Sequence, residues 1–422
     1  MAISAATIWE VRTTGNQNNG GGFVAGATGT DYSQQDDAED SGTDLACADG
    51  DLASPVITSA THNFIAADVG NIIHITAGTG WTAGWYEIVS VDTNAATLDR
   101  ACGTDGAKTG GTWYLGGAFA ITGNLASDFF GATAKTAGNT VYIKNGTHAL
   151  GETISAGADG TTSAPIKVIG YKSTRGDAPT LTDRPLINCA ALTINCAQYF
   201  FWENLSFTGT SGSRTVYTAA GEGINKYINC KFHNTSTGSC FEMDAGTNYF
   251  IGCEFIAAGG TGLEASNTSC FVYGCYFHDS VIGIDSTSGG GVPIINCVFD
   301  TCSSYGIYAA TSNPIIVNCT IYNCAIGIGV TTVGTPNLIN NIISGCTSYG
   351  LSSSGTAYSY YSDFNLWHND TDIGGTNYVK GANDVTDDPL LTAPATGTFS
   401  IGSDSPAANT ALDASTFSGC SV

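Results

Sequence analysis

From residue 204 to residue 343 the chain alternates apolar and polar positions, and a longer rhythm is laid over that alternation. The pairs Asn229-Cys230, Gly252-Cys253, Gly274-Cys275, Asn296-Cys297 and Asn318-Cys319 recur at a near-constant step, and Asn340-Asn341 continues the series. Two positions beyond each pair stands a large apolar residue: Phe232, Phe255, Phe277, Phe299, Ile321 and Ile343. An offset of two is strand alternation, so the Cys and the Phe or Ile share one inward face. Eight or nine positions after each pair comes a second motif: Gly262-Leu263, Gly283-Ile284, Gly306-Ile307, Gly327-Ile328 and Gly350-Leu351. A third column, Cys302, Cys324 and Cys346, keeps the same period.

A unit of about 22 residues with two or three short strands and no helical stretch buries its apolar face only by stacking on copies of itself. The pattern therefore predicts an all-β chain built as a right-handed, single-stranded parallel β-helix. In it the Cys and Phe columns are interior stacks and the Asn column is a side-chain amide ladder at a turn. The solenoid is expected over residues 119–355, with irregular first coils around Asn188-Cys189, Asn195-Cys196 and Asn204-Leu205. Residues 56–118 alternate within Asn71–Ile75, Tyr86–Val91 and Thr112–Leu115 and predict a small antiparallel β domain. Residues 1–55 hold a Gly/Asn-rich stretch and then a run of acids, which predicts an extended arm that orders against something else. Residues 356–422 lose the period and are expected to cap the last coil.

Composition sharpens this picture. Fifty-five glycines, 19 tyrosines and only 2 methionines in 422 residues suit short strands and tight turns. Thirty-six acids against 13 bases give a formal charge of −23, which argues against nucleic acid or an anionic membrane as partner. No Lys or Arg lies between Arg12 and Arg100, and after Lys231 the only one is Lys380. Such a charge works as a solvated coat that discourages association, or as a binder of divalent cations. The 15 cysteines are odd in number, do not follow a disulfide framework and read as small buried residues in a reducing compartment. The start at Met1-Ala2-Ile3-Ser4 has neither a basic nor an apolar leader region, so synthesis without a signal peptide is expected, and no run approaches the ~20 apolar residues of a membrane span.

The period also supplies candidate chemistry. Glu242 and Glu264 are one coil apart and Asp285 lies close to one coil beyond Glu264, so the three could face outward on consecutive coils. Stacked carboxylates raise one another's pKa, as a glycoside hydrolase's acid requires; isolated solvated acids are the bland alternative. Glu254, Asp279 and Asp300 form a looser set near the opposite turn. A lyase would need a Lys or Arg base beside calcium-binding acids, but the C-terminal coils hold none after Lys231 that could serve; Arg214, Lys226 and Lys231 lie on earlier coils, from which they could approach the column of Glu242, Glu264 and Asp285. His233 and His278 follow the aromatic rung and point outward. Tyr305 and Tyr308, with Tyr358, Tyr360, Tyr361 and Trp367, offer aromatic faces for binding sugars, the last four being equally suited to packing the C-terminal cap. No cofactor is expected beyond Ca²⁺, for which Asp384, Asp387 and Asp388 would be the oxygen ligands.

Several segments together resemble the right-handed β-helix proteins of tailed bacteriophages, including tailspikes and other virion surface proteins. They are Met1–Glu10, the module Ala67-Asp-Val-Gly-Asn71 with Gly84–Val91, the opening coil Gly138–Gly146 with Gly170-Tyr171 and Arg175-Gly-Asp177, and Asp388-Pro389 with Ser405-Pro406-Ala407. The resemblance covers most of the chain and marks fold more firmly than activity. It implies a homotrimer, attachment to other virion proteins through the N-terminal arm and β domain, and a solenoid facing host surface polysaccharide. The function expected is that of a virion surface spike, fibre or capsid-decoration protein, without membrane insertion. Its rivals are a polysaccharide hydrolase using Glu242, Glu264 and Asp285, and a cellular β-helix adhesin.

Overall fold

The computed structural model describes residues 3–122, 129–131, 134–157, 159–218, 223–266, 269–288, 291–331, 334–354, 361–375 and 378–410. The fold is a right-handed parallel β-helix of about ten turns with a small antiparallel barrel in the N-terminal region. Coils average about 23 residues, slightly more than the sequence rhythm gives, because the opening and closing turns are longer. The chain forms two compact units, residues 1–207 with Gly223–Asn225 and the remainder.

In the second unit each coil contributes one strand to each of three parallel sheets, for example Thr247–Ile251 to the first, Glu254–Ala257 to the second and Thr261–Ser266 to the third. The register sets Phe232 on Phe255, Phe255 on Phe277 and Phe277 on Phe299. Their ring centroids are 5.0, 4.6 and 4.9 Å apart and nearly parallel, which is the spacing of paired strands read directly in side chains. The Gly column of the second motif lies against these rings. A Cβ on Gly283 would meet Gly306 O at 2.5 Å and Phe299 Cδ1 at 2.8 Å.

Corner geometry adds a backbone reason for the Asn column. Asn229, Asn296, Asn318 and Asn340 all have φ between 52° and 61°, and Gly252 and Gly274 take φ 61° and 62° at the same corner. Asn and Gly alternate there because both tolerate the left-handed conformation that turns the chain from the first sheet to the second. An amide rung also exists, from Asn340 Nδ2 to Asn318 Oδ1 at 3.0 Å. The second corner repeats the device at Asp279, Thr301, Asn323 and Gly345, each followed by a small buried residue.

The cysteine file does more than fill space. The buried amides of Cys253, Cys275 and Cys297 donate to the Sγ of the next cysteine up at 3.4, 3.5 and 3.4 Å, and Cys319 N donates to Asn341 Oδ1 at 2.9 Å. Asn341 N donates in turn to Asn365 Oδ1, so thiol and amide oxygen are interchangeable acceptors along one column. Cys297→Ala should therefore cost about 1–3 kcal/mol, because it strands the Cys275 amide and opens a small void. Denaturant unfolding checks this; a midpoint equal to the wild type's would remove the sulfur from its role.

The first unit shows what the first 55 residues order against. Residues 3–55 are no free arm, because Thr7–Val11 pairs in parallel with Thr140–Lys144 and antiparallel with Gly22–Val24, and Trp9 enters the interior beside Val141. Asp40–Cys47 pairs with Lys108–Leu115 and closes a six-stranded barrel with Val56–Thr58, Ile72–Ala77, Gly84–Asp92 and Ala95–Leu98. The barrel core holds Leu45, Ile73, Trp113 and Leu115. Phe129 stacks on Phe119 at 4.2 Å and meets Trp9 edge-on at 5.3 Å, packing aromatic rings against the first interior position.

At the other end the coils continue beyond residue 355. Leu366–His368 pairs with Ile342–Ser344 and seats Trp367 on Ile343, and Val385–Thr386 pairs with Leu366–His368. The chain then turns back in a hairpin, Leu391–Ala393 with Thr398–Ile401, whose Phe399 ring lies 6.2 Å from Tyr276 and 5.9 Å from Tyr322 on the outward side of the second sheet.

Candidate functional site

On the third sheet of the second unit an inward column is followed at once by an outward one. Phe241, Leu263, Ile284, Ile307 and Ile328 are fully buried, so their neighbours Glu242, Glu264, Asp285, Tyr308 and Gly329 face outward. Register stacks Tyr217 on Glu242, Glu242 on Glu264, Glu264 on Asp285 and Asp285 on Tyr308. The three acids predicted from the period thus occupy successive rungs of one column, about 4.8 Å apart along the axis. A neighbouring outward column runs Ile282, Tyr305, Ile326 and Tyr349. Tyr305 and Tyr308 lie with ring centroids 4.8 Å apart. A Cβ on Gly329 would sit 2.4 Å from the Tyr305 ring, so the missing side chain is what lets that ring lie across the sheet. The candidate acids and two of the candidate aromatics therefore form one continuous strip.

Each acid is held differently. Glu242 pairs with Arg214, whose guanidinium also lies 3.5 Å from the centre of the Tyr217 ring. Burial nevertheless pushes the Glu242 carboxyl above its usual range, Arg214 opposing and Glu264 adding to the rise. Glu264 Oε2 accepts a hydrogen bond from Ser239 Oγ at 2.9 Å. Asp285 is raised to about 6, first by burial and further by the charge of Glu264, against a hydrogen bond from Thr287. The ladder slips register between Glu264 and Ser266, a bulge beside the acids of the kind that re-aims side chains. Arg214 and Tyr217 belong to this site, yet their coil is longer than the repeat that follows it, and the sequence rhythm does not place them.

Other candidates are placed elsewhere. Trp367 is fully buried in the interior stack and its Nε1 donates to Asp384 Oδ2 at 2.9 Å, so it cannot offer a face to a sugar. Tyr361 is exposed on the outward side of the first sheet, and Tyr358 and Tyr360 lie outside the described residues. Asp384 also accepts from Asn365 N at 2.8 Å and Gly381 N at 3.0 Å, while Asp387 and Asp388 accept backbone amides of their own turn. These carboxylates organise local chain, and among the described residues no group of three or more His, Cys, Asp or Glu is placed to hold a metal ion.

The looser set does assemble on the second sheet, but as a bonded network. Glu254 Oε1 takes Lys231 Nζ at 3.0 Å and His278 Nε2 at 3.1 Å, and His278 Nδ1 meets Asp279 at 2.8 Å. Burial opposes ionisation of Glu254, but the bonds from His278 and Lys231 outweigh it and hold its pKa at about 2. Tyr276 OH donates to Asp300 Oδ2 at 3.2 Å, and the hairpin carrying Phe399 lies over this side.

A family model described as the right handed beta helix region matches residues 216–366. No curated protein matches the chain. Among solved structures, a pectate lyase is 12% identical over 66% of this chain and 84% of its own, with a TM-score of 0.44. The catalytic unit of an α-1,3-glucanase from Streptomyces thermodiastaticus is 10% identical over 82% and 87%, TM-score 0.34. A protein of Geobacillus virus E2 is 15% identical over 59% and 56%, TM-score 0.29. The β-helix assignment itself rests on the strand ladders of this chain and on the family match at residues 216–366.

Proposed function

We propose that this chain is a surface protein of a bacteriophage particle that engages host polysaccharide along the outward side of the third sheet. The observation that carries the glycan reading is the single strip running Glu242, Glu264, Asp285 and Tyr308 with Tyr305 beside it. Tyrosine rings stack on the C–H faces of sugars, and carboxylates accept from hydroxyls, so a strip of both fits an extended glycan lying along the axis. Assignment to a particle rests on the sequence resemblance of the N-terminal module and opening coil. With residues 3–55 folded back on their own chain, attachment falls to the barrel exterior, where Leu52, Val56, Ile65 and Val89 are exposed.

A second reading, hydrolysis, is favoured by the raised Asp285 beside Glu264. Rungs about 4.8 Å apart approach the roughly 5–5.5 Å carboxyl separation of retaining glycosidases. Asp285 would protonate the leaving oxygen while Glu264, oriented by Ser239, attacks the anomeric carbon; Asp285 would then deprotonate the water that releases the sugar. Because the acid must start protonated, the rate would fall as pH rises through about 6.

Incubation of the protein with envelope polysaccharide of its host tests both readings. Wild type should bind, and Tyr305→Ala with Tyr308→Ala should weaken binding tenfold or more, about 1.4 kcal/mol. Absence of binding to any host glycan fraction, or full retention by the double variant, sinks the glycan proposal. New reducing ends that vanish in Glu264→Gln and Asp285→Asn would establish hydrolysis; binding without them leaves a receptor.

A further inference from the structure

We propose that Cys47 and Cys102 are the two halves of a disulfide that locks the barrel once the protein meets an oxidising medium. They are the only cysteines before Cys189, and both are buried in the barrel core. The chain beyond Cys47 runs against the segment that carries Cys102, where the amides of Cys102 and Gly103 both donate to Gly50 O, at 2.9 and 3.0 Å. Two glycines permit that approach. A Cβ on Gly50 would stand 3.0 Å from Gly103 Cα, so a side chain there would part the two backbones. The thiols consequently lie within hydrogen-bonding reach of each other, the neighbourhood that a sulfur–sulfur bond requires.

The cysteine file of the solenoid is built differently. Its members stand on successive rungs about 4.8 Å apart, wider than the ~3.8 Å Cβ separation of a disulfide. The sulfurs of Cys275, Cys297 and Cys319 are also taken up as acceptors of backbone amides. In the barrel, burial pushes the Cys102 thiol up to about 12, against the charge of Lys108. The Lys108 stem passes Gly103, and its ammonium donates to Asp105 O and Gly106 O at 2.8 and 2.7 Å. Cys102 therefore stays a thiol until its neighbour is oxidised. Cys47 is the point of entry, being 6% exposed and followed at once by the exposed Ala48, whereas Cys102 is sealed. Its thiolate attacks oxidised glutathione and expels one glutathione thiolate; Cys102 then attacks Cys47 Sγ and expels the second, and each leaving thiolate takes up the proton its attacker lost. Two protein thiols are oxidised and one glutathione disulfide is reduced to two thiols. The loop so closed contains Val56–Thr58, Ile72–Ala77, Gly84–Asp92 and Ala95–Leu98, so most of the barrel loses freedom in its unfolded state. None of these residues belongs to the strip on the third sheet, and glycan binding and the lock stand or fall separately.

Peptide mapping of the full chain tests the lock. Protein equilibrated with oxidised glutathione, quenched in acid, denatured and alkylated should yield a Cys47–Cys102 peptide lighter by two hydrogen atoms, with Cys275, Cys297 and Cys319 still alkylated. Oxidation should slow amide exchange across residues 72–77 and 84–98 at least tenfold, and dithiothreitol should reverse it. Cys102→Ala should show neither the link nor the slowing; if that variant folds poorly, the reversal in wild type decides. A linked peptide absent both from the native protein and after refolding from urea in the same buffer, a link that leaves barrel exchange unchanged, or oxidation that runs first through the solenoid file would each overturn the proposal.

Discussion

Phe277→Asp is expected to lower stability by more than about 5 kcal/mol and to melt the coils on both sides of it. The ring is fully buried and lies between Phe255 and Phe299 at 4.6 and 4.9 Å. Its removal alone costs about 3–5 kcal/mol, and the carboxylate adds either an unpaired charge or the work of protonating it in a dry stack. Because solenoid stability is a sum over neighbouring coils, one bad rung weakens both of its interfaces. Phe277→Leu, which keeps most of the volume, should cost far less. Far-UV circular dichroism with limited proteolysis checks the pair. An aspartate variant with native β signal and protease resistance would put Phe277 outside the core, and the inward assignment of every rung with it.

The parts of the fold legible in the sequence are those whose partners lie one coil away. A strict repeat converts sequence distance into vertical neighbourhood, and so the Phe stack, the cysteine file and the order of the three acids follow from counting. Where pairing is long-range the pattern is silent. Trp9 pairs beside Val141, far along the chain, and Asp40–Cys47 is too polar to read as a barrel strand although Leu45 and Cys47 point inward. In the sequence Trp367 stays open between a sugar-binding face and the packing of the C-terminal cap, because the step from Ile343 stretches beyond the repeat and hides that it is the next interior rung.

Legibility of the site follows the same rule. Periodicity fixes which residues share a column, but not what each touches across the column. Arg214 at Glu242, Ser239 at Glu264 and the absent side chain at Gly329 are lateral relations set by irregular turns. The first two contacts leave Glu242 ion-paired and Glu264 hydrogen-bonded, while burial raises the third carboxyl, that of Asp285, to about 6. A stack of like charges is costly in itself, so stability at neutral pH is sacrificed along this strip. Asp285 binds its proton more tightly folded than unfolded, and its contribution is therefore full below the ordinary carboxylate range and lost as pH rises through about 6.

The second large effect is expected at the opposite end, from Glu10→Ala. Glu10 is fully buried on Thr7–Val11, and its carboxylate takes Arg12 Nε at 2.8 Å, Arg175 Nε at 2.7 Å and the Tyr171 hydroxyl. Arg175 reaches on to Asp31 at 3.2 Å and Ser33 Oγ at 2.8 Å, so one acid ties the first strand and the following segment to the opening coils. Truncation leaves two guanidinium groups in a largely desolvated place without their shared counter-charge, a loss of about 3–5 kcal/mol. Glu10→Gln keeps one acceptor oxygen and should lose less. Amide hydrogen exchange locates the damage, with residues 7–11 and 140–144 exchanging faster in the alanine variant while Phe255–Phe299 rungs keep their protection. Unchanged exchange at the first strand would mean that Trp9 and the parallel pairing hold it without the buried acid.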